Sequence, residues 1–164
     1  YVKTTMTGAN LNTFTVEKTA PNTSWGSVYA QFTQRTTDIA DASMGLSVKR
    51  ELLYDGELKV GSKVKVRITI TADRDYDFVQ VVDKRAACME PANQLTGYRG
   101  GYYHSPRDNA AYYYTDMMRK GTHVIENTYY IDRPGTFTTG TCTVQCAYSP
   151  AYMARTKALT ITVK

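Results

Sequence analysis

Two histidines, a scatter of aspartates, three cysteines and fourteen tyrosines are the side chains that could do chemistry in this chain. His104 stands beside Ser105 and four residues before Asp108, so a base, a nucleophile and an orienting acid can be written from one stretch. Residues this close on one irregular segment rarely converge in those three roles. His123 has no such neighbours and opens a strand pattern after Gly121. Paired-carboxylate hydrolysis needs two acids across a cleft, whereas Asp55, Asp73, Asp75 and Asp132 lie in turns, where carboxylates ordinarily accept backbone hydrogen bonds. Asp73, Asp75 and Asp77 alternate and could line one side of a calcium site, but Arg74 intervenes and no loop of carbonyl ligands follows. Gly97, Gly100 and Gly101 follow no strand-to-helix transition, so a phosphate loop is not expected. The expectation is a chain with no catalytic residue, no metal and no cofactor.

Cys88, Cys142 and Cys146 are odd in number and fit no zinc or redox spacing. On a strand, Cys142 and Cys146 share a face with Cα atoms about 13 Å apart, too far for a mutual disulfide. Buried free thiols and a bridge from Cys88 to one of the others both remain open. The tyrosines suggest a different role. Tyr98, Tyr102 and Tyr103, with Arg107 and Asp108 nearby, form a candidate contact surface for protein or carbohydrate, with further tyrosines at Tyr112 to Tyr114 and at Tyr129 and Tyr130. Alternation along a strand lets at most half of the tyrosines in such runs face water.

The elements that must position these groups read as strands. In Val64, Val66, Ile68 and Ile70 one face is wholly β-branched, while Lys63, Lys65, Arg67, Thr69 and Thr71 face out. Strands are also expected at Leu46 to Tyr54, Tyr76 to Val82, Ala111 to Met117, His123 to Asp132, Thr136 to Tyr148 and Ala158 to Lys164, with an edge segment at Leu58 to Gly61. Lys84 to Asn109 has no period and reads as one long irregular connection pinned by its tyrosines. Upstream, Leu11 to Lys18 and Ser24 to Gln34 flank the turn Thr19 to Thr23 and read as a hairpin covered on both faces. Arg35 to Ser43 is polar and aperiodic, which makes it a linker.

The fold class expected is therefore an all-β, antiparallel sandwich at residues 44–164, with residues 1–40 a β-hairpin from a neighbouring domain. A length of 164 residues suits one core plus a small satellite. The charge of +5 is interspersed with acids on strand faces, so nucleic acid is not an expected partner. No run approaches the roughly 20 apolar residues of a spanning helix, so direct membrane insertion is not expected either. The chain opens at Tyr1 rather than Met, and the expectation is a module cut from a larger exported protein whose leader lies elsewhere.

One family resemblance runs through the second half. Leu58 to Arg67, then Asp73-Arg74-Asp75, Phe78 to Asp83 and Cys88-Met89-Glu90-Pro91 closely resemble the C-terminal macroglobulin-like domain of bacterial alpha-2-macroglobulins. The likeness continues through Tyr102-Tyr103, Arg107-Asp108, Lys120 to His123, Arg133 to Phe137, Tyr148-Ser149-Pro150 and Arg155-Thr156. Each piece is weak alone, and their order and spacing make the set specific. The Cys-rich version looks like the branch found in Bacteroidetes. Ser24 to Gln31 resembles the strand by which such chains leave the thioester-containing helical domain and its companion β-domain.

What the resemblance implies is a macroglobulin-like or immunoglobulin-like domain of a periplasmic or surface-anchored peptidase trap, an endopeptidase inhibitor. Its partners would be other domains of the same polypeptide and, through the full-length protein, target peptidases. A thioester needs a Cys-x-Glu-Gln arrangement, which none of the three cysteines has. In thioester-bearing relatives a Met-Tyr pair before the last strand lies near the thioester and keeps water from it. Here the corresponding positions are Ala147 and Tyr148, so the smaller side chain covers less surface. The alternative function is a stand-alone adhesion or glycan-binding sandwich using the tyrosine-rich segment 97–114.

Overall fold

The computed structural model describes residues 2–7 and 15–164. By its contacts the chain divides into two units, Tyr1–Phe32 and Thr33–Lys164. In the first unit the described residues form neither helix nor strand and are exposed. The expected hairpin is corrected here: Ser24 to Gln34 forms no strand, and Trp25, Val28, Tyr29 and Phe32 are largely exposed. The other arm, Leu11 to Lys18, lies partly outside the described residues, and residues 15–18 are not in a strand. An isolated two-stranded ribbon is marginal in water, so alternation alone does not make these residues a hairpin.

The second unit is all-β. After a single 3-10 turn at Thr36–Asp38 come β1 (Ala42–Met44), β2 (Leu46–Leu53), β3 (Lys63–Ala72), β4 (Tyr76–Lys84), β5 (Met89–Pro91), β6 (Gly97–Arg99) and β7 (Tyr102–Pro106). They are followed by β8 (Ala110–Met118), β9 (Gly121–Ile131), β10 (Gly135–Thr138), β11 (Cys142–Cys146), β12 (Met153–Arg155) and β13 (Thr160–Val163). Eleven of these form one antiparallel ladder in the order β5-β9-β3-β2-β1-β12-β11-β4-β8-β7-β6, while β10 and β13 pair separately. The ladder turns a corner at Gly45, where β1 meets β2 through the single pair Met44 and Leu46. Strand β2 therefore also packs against β11 and β12, and the open ladder folds over into the two layers of a sandwich.

Period 2 decides which side chains meet in the middle. Val64, Val66, Ile68 and Ile70 of β3, Val79 and Val81 of β4, Ile125, Tyr129 and Ile131 of β9, and Val144 of β11 are all buried in one cluster. Each such side chain stabilises the fold by about 1.5–3 kcal/mol relative to exposure. The three cysteines are free and buried in the same cluster.

Four expected elements differ. Leu58 to Gly61 is a turn, because buried Leu58 anchors it and the Leu58 carbonyl accepts from the Lys164 amide at 2.9 Å. Lys84 to Asn109 is not one irregular loop: it contains β5, β6 and β7, each too short to show a period. The stretch Thr136 to Tyr148 splits at residues 139–141, where the backbone leaves the ladder to face the buried Arg50. From β2, Arg50 Nη1 donates to Asp83 Oδ1 of β4 at 2.9 Å. Its Nη2 donates to Thr139 Oγ1 at 2.8 Å, the Gly140 carbonyl at 2.7 Å and the Lys157 carbonyl at 3.1 Å. The 35–43 segment, read as a linker, likewise enters the ladder at β1, which pairs with β12.

Candidate functional site

Residues 147–152 join β11 to β12 and carry Ala147 and Tyr148 at the surface. The turn is anchored at both ends. On the near side the Ala147 amide donates to the Phe78 carbonyl at 2.8 Å, and Gln145 Nε2 donates to the Pro150 carbonyl at 3.0 Å. On the far side the Tyr152 amide donates to the Ser149 carbonyl at 3.0 Å, and the Cys146 amide to the Tyr152 carbonyl at 3.1 Å. The Tyr152 ring lies 5.4 Å from that of Tyr76 and under the Arg74 guanidinium at 5.5 Å. Beneath it, Tyr76 Oη donates to Asp73 Oδ1 at 2.5 Å, and Arg74 donates twice to the same carboxylate at 3.0 Å.

The electrostatics follow from these contacts. Hydrogen bonds from Arg74 and then Tyr76 hold the Asp73 carboxyl at about 2. Burial, then the bond to Asp73, pushes the Tyr76 hydroxyl up to about 12. Asp75 is held below the usual carboxylate range by the Lys120 amide at 2.7 Å and by Arg119 at 2.8 Å. These acids each serve a local partner and do not converge. Among the described residues no three of His, Cys, Asp or Glu come together as a metal site.

Phe78 completes the site and is what sequence reading missed. Its φ of +51° is left-handed, the one non-glycine positive φ among the described residues. For a bulky residue that costs on the order of 1–3 kcal/mol. The kink breaks alternation, so Tyr76 and Val79 point inward while Asp77 and Phe78 both face water. The Phe78 ring meets that of Tyr148 edge-on, with centroids 5.2 Å apart at 89°. Both rings are exposed, by 50% and 81%, beside an open cleft of about 390 Å³ lined by Arg74, Asp77, Cys146 and Tyr152 among others. In the sequence Phe78 is an ordinary strand residue with no mark of its backbone.

The tyrosine surface is brought together only in part. Tyr98 and Tyr103 are register partners with rings 5.2 Å apart, and Tyr103 lies 6.5 Å from Tyr114, which stacks on Tyr112. Tyr102 is buried on the other face. Arg107 and Asp108 form the turn from β7 to β8, four and five residues beyond Tyr103 and so about 13 Å or more along the strand. The edge-on meeting of Tyr98 and Tyr103, at 69°, offers no common plane for stacking a sugar ring. His104 points inward and stacks on Tyr113 at 4.8 Å, Ser105 is buried and Asp108 is exposed, so the three do not form a triad. Burial, then the Arg99 charge, lowers the His104 pKa below its ordinary value.

Residues 29–151 match the family described as Bacterial Alpha-2-macroglobulin MG10 domain. The chain belongs to that family. The MG10 match includes Phe78, Ala147 and Tyr148. Among solved structures, the chain is similar to a Y1175G mutant of Salmonella alpha-2-macroglobulin, with 21% identity and a TM-score of 0.68 over 77% of this chain and 10% of that one. It is similar to native Escherichia coli alpha-2-macroglobulin from domain MG7 to the C-terminus, with 18% identity and a TM-score of 0.68 over 78% of this chain and 25% of that one. Elastase-activated Escherichia coli alpha-2-macroglobulin gives 20% identity and a TM-score of 0.69 over 77% of this chain and 14% of that one. At these identities the likeness shows the fold, and the MG10 chain spans a quarter or less of those solved proteins. No curated protein matches the sequence.

Proposed function

We propose that this MG10 domain is a non-catalytic structural and interaction module of a longer, exported peptidase-trapping protein, acting in the periplasm or at the cell surface. Its working partners are other domains of the same polypeptide, and it meets target peptidases only through the intact protein. The family match over 29–151 carries this reading. Supporting it, the similar solved proteins include forms of Escherichia coli alpha-2-macroglobulin activated by trypsin and by elastase, and a Salmonella form reacted with methylamine. Within the domain, the anchored turn that presents Tyr148 is the surface turned toward a neighbouring domain. No helix among the described residues is long and apolar enough to cross a membrane.

The test is peptidase entrapment by the intact polypeptide. Mixed with trypsin or elastase, it is expected to block cleavage of a large protein substrate while sparing cleavage of a small chromogenic peptide, and to lose that selectivity when residues 33–164 are deleted. Equal inhibition of both substrates, or of neither, overturns the proposal.

A further inference from the structure

We infer that Phe78 is the positioning residue for Tyr148, its ring supplying the apolar support that the small Ala147 side chain does not. This rests on the reading of Tyr148 as the residue turned toward a neighbouring domain. Three observations carry it.

Phe78 holds a left-handed backbone in the middle of β4 although the residues on either side, Asp77 and Val79, keep their register with Met117 and Thr115 of β8. Such strain persists only where surrounding contacts over-determine it. The Phe78 ring does not explain it through core packing, because that ring is half exposed. Its contacts go instead to the turn: the carbonyl to the Ala147 amide, the ring to Tyr148.

The same kink sets the far end of the turn. Because alternation breaks at Asp77 and Phe78, Tyr76 points inward, where it reaches Asp73 and stacks near Tyr152. One backbone irregularity thus fixes residues 147–152 at both ends. Finally, Tyr148 is 81% exposed, and no hydrogen bond to its hydroxyl restrains it among the described residues. The edge-on contact with Phe78 is one of the two arrangements that aromatic pairs favour over a face-to-face sandwich, so it gives the Tyr148 ring a preferred orientation.

The experiment uses Tyr148 labelled with fluorine, the 164-residue chain and the intact polypeptide, and the variants Phe78→Gly and Phe78→Met. Glycine adopts the left-handed backbone without strain, so Phe78→Gly removes the ring while keeping or raising the melting temperature. In Phe78→Gly the Tyr148 resonance is expected to move to that of an unrestrained tyrosine, and amide protection of residues 147–149 in the intact polypeptide to fall by about two- to tenfold. Phe78→Met, which can still contact the ring, is expected to restore both. An unchanged Tyr148 resonance in Phe78→Gly overturns the inference. If instead residues 147–149 of the wild type exchange equally fast in the short chain and in the intact polypeptide, the interdomain reading of Tyr148 falls. The resonance in the short chain then decides the positioning role by itself.

Discussion

Arg50 and His104 are buried polar side chains, and each makes a prediction. The Arg50 guanidinium and the Asp83 carboxylate are almost wholly removed from water, and Arg50 also satisfies the oxygens of Thr139, Gly140 and Lys157. Removing one member of such a pair strands the other charge. Arg50→Met is therefore expected to destabilise the fold by about 3–5 kcal/mol, and adding Asp83→Leu to recover part of that, both read from urea denaturation. His104 is buried, its Nε2 has no hydrogen-bond partner among the described residues, and its folded pKa lies below the ordinary value of 6.5. Below that ordinary value the unfolded chain takes up a proton that the folded chain resists, so stability falls as pH drops from about 6.5 through the lowered folded pKa. His104→Phe is expected to flatten this pH dependence between pH 7 and 5, and to raise stability at pH 7 by about 1 kcal/mol. Melting temperatures at the two pH values check both.

At the scale of elements, the corner at Gly45 is where sequence and structure part most clearly. Its φ is +73°, and a Cβ there would run into the Tyr76 hydroxyl and lie 3.0 Å from the Tyr152 ring. Gly45→Ala is expected to cost about 2–4 kcal/mol, from backbone strain plus displacement of Tyr76. Exchange protection at the 147–152 turn should fall with it, and a substitution that leaves both unchanged would remove Gly45 from the corner's design. The long strands were legible because burial on one face leaves a period of two, as in β3 with its Lys, Arg and Thr outside and Val and Ile inside. Strands β5, β6 and β7 were not, since three to five residues carry too few alternations. Nor was the break between β10 and β11, which exists to aim the backbone at Arg50, a residue 89 positions away from Thr139. The candidate site was half legible: Ala147 and Tyr148 came from family likeness, whereas Phe78 depends on a dihedral angle that no residue type announces.

For the molecule as a whole, the two outer faces of the sandwich are chemically different. Across β2, β3 and β9 the row Glu51, Arg67 and Glu126 is charged, with Arg67 paired to Glu126 and Glu51 to Lys49, as expected of a solvated surface. Across the other layer the register aligns Met44, Met153, Gln145, Gln80, Tyr114, Tyr103 and Tyr98 in one row with no charge at all. The first unit adds a further uncovered surface. Trp25, Val28, Tyr29 and Phe32 have the composition of a strand, yet they are exposed by 65% to 94% and lie in no strand among the described residues. Large exposed apolar side chains in succession mark surface that is covered in the working assembly. We propose that residues 1–40 are the tail of a preceding domain, pairing with it rather than with residues 44–164. Trp25 is the only tryptophan in the chain, so it reports on this directly. With fluorotryptophan incorporated, and the signal assigned in the intact polypeptide through Trp25→Phe, the Trp25 resonance should show a full solvent isotope shift in the 164-residue chain. It should lose most of that shift in the intact polypeptide, where a partner strand shields the ring and supplies the missing ladder. A Trp25 signal equally solvent-exposed in both would mean that this segment is a linker and that the boundary between domains lies upstream of Tyr1.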